Sequence, residues 1–455
     1  MMKRIHVFAA LAVLAVAAMS QVPKTAVPVR TGSSAGGPQG FCDRWEAKAY
    51  EAALYGPIDR ALPPPIDGAN PAWECIGPEG GNIVGLDFDR ADPRRIFVAL
   101  DGGGVYRSVD SGDSWVKLAP NNSNNVGIAV DPTNGQNVYV LSSSSLRRSF
   151  DGGATWQSFS FPTYCYATCG PVVDPLALNT LYAAGYHYYS ISPSYYYSIA
   201  LLKSTNGGQN WSYVDLNPTV QYGYSYSLAL SPSSPNVLYI GGYENTGPKV
   251  YKSINGGANW TNVTGTVNSY PYALAVDPLD CNRVFAGTSS KVFRSADGGA
   301  SWAPSNGYVS ALELAVDPHN PNVLYAGGYG CYKSIDGGVN WTSSGAGLSG
   351  YGQDLEIAAG AVFLAGTAGV FRSDNGGLTW QARNSNLLGT VAPALAVAPS
   401  QPQTIYIESQ NYSLMKTLNA GASWQTTTTP DQCGLPAKLV AHPTDAAHVY
   451  FLSGG

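Results

Sequence analysis

The sequence predicts an all-β repeat protein, a β-propeller of four-stranded blades, and three observations support this fold class. First, a phrase that runs from Ser or Thr to Trp recurs eight times along the 455 residues. Second, eight of the ten tryptophans close these phrases, and successive copies lie 39 to 55 residues apart. Third, short β-branched and aromatic runs flank each copy. A period near forty residues with strand-like flanks is typical of a propeller or a solenoid.

One repeat contains four predicted strands. In residues 311–342 the apolar runs 311–316 and 323–326 are separated by an Asp-Pro turn, and a Gly-rich connection leads to 331–334. The recurring phrase then makes a turn into a fourth strand at Trp341. Asp-Pro, Asn-Pro and Gly-Gly pairs between such runs are turn signals, and no sustained helical period follows residue 72. The repeat is therefore predicted to be all-β.

Each phrase, called here a Ser–Trp box, has an acidic or amide residue at its third position. Asp-Gly or Asn-Gly between strands favours a tight hairpin, and the Asp or Asn oxygen can accept hydrogen bonds from turn amides. Four copies hold Asp and four hold Asn at this place, and an amide cannot replace a carboxylate as a general acid or base. We therefore interpret the boxes as structural rather than catalytic or metal-binding. The residues are Asp110, Asp151, Asn206, Asn255, Asp297, Asp336, Asn375 and Asn419, with Trp115, Trp156, Trp211, Trp260, Trp302, Trp341, Trp380 and Trp424.

A basic residue precedes every box. These could form a ring for an anionic polymer, or a solvated strand face whose long side chains cover apolar surface. Because the net charge is −5 and the sequence pI is about 5.5, we prefer the second account and expect no nucleic-acid partner. The eight residues are Arg107, Arg148, Lys203, Lys252, Arg294, Lys333, Arg372 and Lys416.

The pattern Ser-x-Asp-x-Gly-x-x-Trp resembles the Asp-box of sialidases, sortilin-type receptors, xyloglucanases and photosystem assembly factors. The resemblance spans about residues 73–455 and implies a propeller whose boxes lie on hairpins away from the ligand face; it implies no particular activity. Eight units plus a partial ninth predict about eight blades, with seven or nine as alternatives. The predicted strands 437–441 and 448–452 and the segment at Trp73 either combine into one closing blade or belong to a longer array.

The start of the chain predicts export. Residues 1–20 have a positive start, an apolar run over 5–18 and small residues suited to cleavage, as in a signal peptide. Residues 21–72 are predicted to be a leader with one short helix near Trp45, and 73–455 the propeller. No later run is long enough to span a membrane. Secretion, or a periplasmic or cell-surface location, would let disulfides persist, with Cys165–Cys169 and Cys42–Cys75 as possible pairs.

Tyrosines accumulate where the repeat pattern does not explain them. The third unit has an enlarged connection over 185–197, and further tyrosines follow at 222–226, 243 and 270–272. Tyrosine offers a flat apolar ring with a hydroxyl, which suits a sugar ring or an extended polypeptide. The alternative is that these rings pack the oversized hairpin on its own blade. The candidate ligand-binding residues are Tyr186, His187, Tyr188, Tyr195, Tyr196, Tyr197, Tyr224, Tyr243 and Glu244.

Asp101 is the one candidate catalytic carboxylate. It precedes Gly102-Gly-Gly-Val-Tyr-Arg107, a stretch similar to the Asp-x-Gly-Gly-Ala-Tyr-Arg segment of xyloglucanases. This resemblance implies the role of general base in an inverting glycosidase, which needs a second carboxylate roughly 6.5–9.5 Å away. In xyloglucanases that acid comes from a second propeller; within this chain the remaining possibilities are Glu244, Glu313, Asp354 and Glu356. A turn Asp before a Gly run is the alternative.

Taken from sequence, the preferred hypothesis is an exported, non-enzymatic propeller that binds a glycan or an extracellular protein through the loops opposite the boxes. A glycoside hydrolase that uses Asp101 is the first alternative, and a structural module of a larger surface protein is the second. No cofactor and no metal site are predicted, because the five histidines are scattered and no cysteines have zinc spacing.

Overall fold

The computed structural model describes residues 82–453, except 120–123, 178, 192–193, 349–350, 359, 385–393, 399, 402, 409–413, 420–423, 428–435, 442–444 and 448. The expected signal peptide, the leader with its helix, and the segment at Trp73 lie outside the described residues. The described part is all-β: eight four-stranded antiparallel sheets and one strand pair, with no helix. No helix in it has the length and apolar character needed to cross a bilayer.

The first seven sheets are blades one to seven. Blade one contains β1 (Ile83–Phe88), β2 (Ile96–Leu100), β3 (Gly104–Ser108) and β4 (Val116–Ala119). Blade two contains β5 (Asn125–Asp131), β6 (Asn134–Ser142), β7 (Ser145–Ser149) and β8 (Gln157–Ser160). Blade three contains β9 (Cys165–Val173), β10 (Leu181–Ile191), β11 (Ser194–Ser204) and β12 (Ser212–Asp215). Blade four contains β13 (Gly223–Leu230), β14 (Leu238–Glu244), β15 (Gly247–Ser253) and β16 (Thr261–Asn262).

The remaining sheets repeat this order. Blade five contains β17 (Ala273–Val276), β18 (Val284–Gly287), β19 (Val292–Ser295) and β20 (Ala303–Pro304). Blade six contains β21 (Glu313–Val316), β22 (Leu324–Gly327), β23 (Cys331–Ser334) and β24 (Thr342–Ser343). Blade seven contains β25 (Gly352–Ala358), β26 (Ala361–Gly366), β27 (Gly369–Ser373) and β28 (Gln381–Ala382). An eighth sheet has β29 (Ala394–Val397), β30 (Ile405–Glu408), β31 (Leu414–Thr417) and β32 (Gln425–Thr427), and the pair is β33 (Pro436–Ala441) with β34 (Val449–Ser453).

The ring closes with seven blades, one of the alternatives to the expected eight. Ile83 and Val98 of blade one are fully buried in one apolar cluster with Phe363 and Ala365 of blade seven. The apolar face of blade one is thus covered by blade seven. Closed propellers leave only short, protected strand edges, and here the seventh blade completes that protection.

Polar contacts reinforce the closing junction. Trp115 Nε1 donates to the carbonyl oxygen of Arg383 at 2.8 Å, and Arg383 Nη1 lies 3.1 Å from Asp113 Oδ1. Blade one takes all four of its strands from residues 83–119. The segment at Trp73, which the sequence suggested as part of a composite closing blade, lies outside the described residues. The pair β33–β34 is instead near the eighth sheet, where Tyr406 Oη donates to the carbonyl of Ala446 at 2.7 Å.

The core lies between neighbouring blades. The second strand of most blades is apolar and almost wholly buried, as in the five residues of β2, whereas first strands such as β13 alternate buried and half-buried residues. Burying one such large side chain contributes about 1.5–3 kcal/mol relative to leaving it exposed. The fourth strands are the outer ones. Most of their residues are exposed, as in β16 and β20, so they do not alternate buried with exposed side chains. This arrangement places the first strands around the centre of the ring.

The cysteine pairing suggested within blade three does not form. Cys165, Cys169, Cys281 and Cys331 are all free thiols. Cys165 and Cys169 lie on the same strand, opposite His187 and Ala184 respectively. Four residues of extended strand separate Cα atoms by roughly 13 Å, too far for a disulfide. The suggested partner pair Cys42 and Cys75 lies outside the described residues.

Candidate functional site

The connections of the ring fall on two opposite faces. In a four-stranded meander the first and third connections lie at one end, while the second connection and the linkers between blades lie at the other. The Ser–Trp boxes of blades one to seven form third connections, for example between β3 and β4. Asp101 and the Tyr-rich hairpin β10–β11 occupy second connections. The boxes therefore lie on a box face, and the candidate ligand residues on the opposite loop face.

The polar groups of the boxes are satisfied within their own turns. In blade two, Ser149 Oγ donates to Asp151 Oδ1 at 2.7 Å and the amide of Thr155 donates to the same oxygen at 2.8 Å. Hydrogen bonds from the hydroxyl and amide of Thr155, and from Ser149, lower the pKa of Asp151 to about 2. Asn255 accepts the equivalent bonds from Ser253 and Asn259. Such a carboxylate is stabilised in its charged form by a turn and not by a shared cavity.

The box tryptophans make two kinds of contact. In blades two, three, four and six the indole N–H donates to a Gly carbonyl of its own box, as Trp156 does to Gly153 at 2.9 Å. In blades one, five and seven it donates to the preceding blade, as Trp302 does to Val263 at 2.7 Å. Both patterns attach the box to the blade edge, and neither exposes the ring on the loop face.

Asp101 begins the turn between β2 and β3. Its side chain is half-buried, and its amide donates to the carbonyl of Asn82 at 2.9 Å. Gly102 and Gly104 have φ values of 75° and 94°, conformations that favour glycine. The Gly run that follows Asp101 in the sequence is therefore the means by which a tight turn presents this residue at the loop face.

The hairpin β10–β11 extends beyond the other blades because both strands are 11 residues long. On one face, Tyr186 packs against Tyr166, Tyr197 and Tyr224 with ring centroids 5.2 to 5.8 Å apart. Tyr188 stacks on Tyr195, with centroids 5.8 Å apart. Most of these tyrosines thus pack the hairpin and its neighbouring strand.

Some rings of this Tyr cluster remain open to solvent. Tyr195 is 56% exposed, Tyr222 is 44% exposed and Tyr164 is 57% exposed. Tyr222 stacks on Tyr197 with centroids 5.9 Å apart, so its ring is held by the cluster beneath it. The two sequence interpretations therefore apply to different rings: the inner ones pack the hairpin, and the outer ones form a supported aromatic surface.

The other face of the hairpin carries an imidazole–carboxylate pair. His187 Nδ1 lies 3.1 Å from Asp215 Oδ2, and the His187 ring lies 4.4 Å from that of Tyr213. Tyr189 stacks on Tyr196 and donates to the carbonyl of Pro218. These contacts tie the hairpin to the outer strand β12. His187 and Tyr196 thus lie on the opposite side of the hairpin from Tyr186 and Tyr188.

Glu244 is placed inside blade four. Only 1% of it is exposed, and Oε1 accepts a 2.7 Å hydrogen bond from Tyr251 while Oε2 accepts one from Asn217. Its neighbour Tyr243 contacts Tyr270 edge-on at 5.1 Å. Glu244 therefore holds the linker residue Asn217 to the blade. Of the two neighbours Tyr243 and Glu244, only Tyr243 is on the surface side.

The other three carboxylates considered from sequence lie together at the centre of the ring. Glu313 begins β21, and Asp354 and Glu356 lie on β25. With Asp87 and Arg90 of blade one they form a group, called here the channel cluster. Asp354 Oδ2 accepts the amide of Leu86 at 2.5 Å, and Asp87 Oδ1 accepts Arg90 Nη1 at 2.7 Å.

The channel cluster holds protons tightly. Although each side chain retains some exposed area, desolvation by the surrounding blades raises the pKa of Asp354 to about 7 and that of Glu356 to about 8, and the charge of Asp87 adds to both shifts. Desolvation, with the nearby Asp354 and Glu356, raises the pKa of Glu313 well above its usual value. One Arg90 faces several carboxyls, so the cluster favours partial protonation near neutral pH.

A second aromatic pair, Tyr329 and Tyr351, was not predicted from the sequence. Tyr329 in the second connection of blade six is 65% exposed, and it meets Tyr351 of the next linker edge-on with centroids 4.8 Å apart. Both positions correspond to those of the Tyr-rich segments in blades three and four. Position within the repeat was the available signal, but isolated tyrosines do not stand out in a chain with 30 of them.

No three His, Cys, Asp or Glu side chains among the described residues are grouped so that they could hold a metal ion. The loop face thus offers aromatic rings and one turn carboxylate, and a group of protonatable carboxyls lies at the centre of the ring. Aromatic rings and carboxylates are the groups that bind and cleave glycans. The structure brings Glu313, Asp354 and Glu356 together, and it places Glu244 elsewhere.

Comparisons with known proteins point to glycan-active relatives. The chain is 27% identical over 234 residues to a xyloglucanase from Paenibacillus sp, a match covering 44% of this chain and 23% of that protein. It is 24% identical over 261 residues to a xyloglucanase from Hypocrea jecorina, covering 46% of this chain and 30% of the relative. The matched region therefore spans less than a third of either relative. No protein-family model matches the chain.

Among solved structures, an ancestral GH74 enzyme superposes with a TM-score of 0.50 at 18% identity, covering 85% of this chain and 68% of that one. At this identity the similarity shows the fold alone. Together, the described residues form a β-propeller with xyloglucanase-like relatives.

Proposed function

We propose that this chain is a glycoside hydrolase, or the part of one that carries its base, and that it acts on a β-glucan laid across the loop face. Asp101 is its general base. The observation that carries the proposal is the position of Asp101 in a glycine-built turn on the same face as the supported Tyr surface. The xyloglucanase relatives favour this alternative over the binding-only hypothesis that the sequence first suggested.

The roles follow from chemistry. The outer tyrosines of the Tyr cluster offer flat, pre-packed rings that can stack on sugars with little loss of side-chain entropy. An inverting hydrolysis needs Asp101 ionised to activate water and a protonated partner across the scissile bond. The channel cluster contains carboxyls that are protonated near neutral pH. Glu313, Asp354 and Glu356 are therefore the candidates within the described residues.

The test is release of reducing ends from xyloglucan and other β-glucans by the purified chain. Asp101→Asn should reduce turnover by roughly 10²- to 10⁴-fold, the usual contribution of a general base. Asp92→Asn is the matched control, because Asp92 pairs with Arg94 in a first connection on the opposite face. Equal activity of the two variants would remove Asp101 from the mechanism.

A second candidate is glycan binding without catalysis, favoured by the exposed rings of Tyr195 and Tyr222. Tyr195→Ala with Tyr222→Ala should weaken β-glucan binding, whereas Tyr308→Ala, an exposed ring in the linker after blade five, should not. Binding that persists in the double variant would argue against the Tyr surface. Export through residues 1–20 is part of both candidates, since their polymeric glycan ligands lie outside the cell.

A further inference from the structure

The turn that carries Asp101 is held from the side of blade two by one amide side chain. Asn125 Nδ2 donates to the carbonyl of Leu100 at 2.9 Å and to that of Gly104 at 3.5 Å, so it spans both ends of the turn. Asn125 is only 5% exposed, and its Oδ1 accepts a 3.0 Å hydrogen bond from Arg147 Nη2. A charged donor on the oxygen polarises the amide and strengthens the bonds that its nitrogen donates.

The same turn is held from the side of blade seven. Gln353 Nε2 donates to Asn82 Oδ1 at 2.5 Å, and the carbonyl of Asn82 accepts the amide of Asp101 at 2.9 Å. Gln353 is the bulged residue of β25, inserted between the register pairs of Gly352 and Asp354. A bulge often re-aims a side chain, and here it directs Gln353 across the closing junction of the ring.

We infer that Asn125 and Gln353 are positioning residues that fix the carboxylate of Asp101 for catalysis from two neighbouring blades. This inference rests on the proposed function. A turn with two glycines at positive φ has few restraints of its own, because glycine has more backbone freedom than any other residue. Two amide side chains anchored in separate blades supply those restraints, and misplacing a catalytic group by about 1 Å can cost on the order of 10²-fold in rate.

Blade seven offers a matched control. Asn384 Nδ2 donates to the carbonyl of Ala368 at 3.1 Å, and its Oδ1 accepts the amide of Val370 at 2.8 Å. It therefore restrains the second connection of blade seven as Asn125 restrains that of blade one. That connection, between β26 and β27, carries no carboxylate, so loss of Asn384 tests the structural cost of such a clamp alone.

The experiment measures kcat, KM and Tm on xyloglucan for Asn125→Ala, Gln353→Leu, Asn384→Ala and Asp101→Asn. Asn125→Ala and Gln353→Leu should lower kcat by roughly 10- to 100-fold while KM changes by less than about twofold. Asn384→Ala should lower Tm by about as much as Asn125→Ala and Gln353→Leu do, but it should leave kcat unchanged. Gln353→Leu keeps the test decisive if Asn125→Ala fails to fold, because Gln353 is only half-buried.

The outcomes separate the two proposals. If Asp101→Asn abolishes turnover but Asn125→Ala and Gln353→Leu behave like Asn384→Ala, Asn125 and Gln353 do not position Asp101. The proposed hydrolase function is then retained. If Asp101→Asn is as active as the unaltered protein, or that protein has no turnover, the proposed function fails and the clamp fails with it. A loss of kcat in Asp101→Asn, Asn125→Ala and Gln353→Leu, with kcat unchanged in Asn384→Ala, supports both proposals.

Discussion

Lys203 Nζ donates a 2.8 Å hydrogen bond to the carbonyl oxygen of Gly256, which ties the third strand of blade three to the box of blade four. Three other junctions have the same link, namely Arg107 to Gly152, Arg148 to Gly207 and Lys333 to Gly376. The basic residues before these boxes therefore serve as staples between blades. Lys203 and Lys333 also lie over tyrosine rings, those of Tyr182 and Tyr325, which agrees with the account in which these long side chains cover apolar surface.

The staple predicts a stability difference between two lysines. Lys203→Met removes a charged hydrogen bond and should lower the free energy of unfolding by about 1–2 kcal/mol. Lys252→Met is the control: Lys252 also lies over a tyrosine ring, 5.5 Å from the centroid of Tyr239, but donates to no box carbonyl among the described residues. Guanidinium unfolding measures both. Equal losses would mean that the hydrogen bond to Gly256 contributes nothing.

The boxes should tolerate exchange of Asp and Asn. In the Asp297 box the hydroxyl of Ser301 donates to the carboxylate, whereas in the Asn375 box the side-chain amide donates to the Thr379 hydroxyl. Asp297→Asn should therefore keep the stability of the protein near pH 7, while Asp297→Ala should clearly lower it. Thermal unfolding compares the two, with Asn255→Asp as the reverse exchange. A large loss in Asp297→Asn would assign the carboxylate a role beyond the turn.

The same box predicts a dependence on acid. Hydrogen bonds from Ser301 and Ser295 lower the pKa of Asp297 to about 2 from a usual 3.8. A carboxyl with a lowered folded pKa stabilises the protein above its unfolded pKa, and that contribution is lost as the pH falls from about 4 towards 2. Urea unfolding between pH 2 and pH 5 should show a shallower acid loss in Asp297→Asn than in the unaltered protein. Parallel curves would contradict the assignment.

The channel cluster predicts the opposite dependence at higher pH. Glu356 has a pKa raised from 4.5 to about 8, so the folded state binds its proton more tightly than the unfolded state. Its contribution is full below pH 4.5 and is lost as the pH rises through about 8. Glu356→Gln should flatten the decline in unfolding free energy between pH 5 and pH 9, and Asp374→Asn at the exposed box rim should not. An unchanged slope in Glu356→Gln would contradict the raised pKa.

Thiol labelling tests the cysteine assignment. Burial raises the pKa of Cys165, Cys169 and Cys331 to about 12, so roughly one thiol in ten thousand is ionised at pH 8. Iodoacetamide should leave all three unmodified in the native protein and label all three in guanidinium without reductant, as read by peptide mass spectrometry. Failure of Cys165 and Cys169 to label when unfolded would reveal the disulfide that the strand geometry excludes.

The sequence was sufficient for the repeat and its faces, because turn chemistry and strand patterning are local. The six boxes that contain Asp-Gly or Asn-Gly lie between the third and fourth strands of their blades, as expected, and Asp101 lies in the turn that its glycines predict. The number of blades was not accessible in this way. Every repeat has the same local pattern, and closure depends on long-range contacts such as Trp115 with Arg383, 268 positions apart.

The candidate site was only partly accessible for the same reason. Glu313 and Asp354 were noted as possible acids, but only the ring brings them together from separate blades. Glu244 appeared alongside surface tyrosines in sequence, yet its partner Tyr251 draws it into the blade. The roles of Asn125 and Gln353 depend on contacts with residues of another blade, which no local pattern encodes.

The ring is closed by noncovalent contacts between blades one and seven, and this has a consequence for the order of the blades along the chain. Each blade is a complete meander, and blade seven meets blade one without a covalent link between them. A circular permutant opened within the linker 263–272, with residue 384 joined to residue 82 through a peptide about as long as the linker 305–312, should assemble the same propeller. Which blade is synthesised first is thus immaterial to the final architecture.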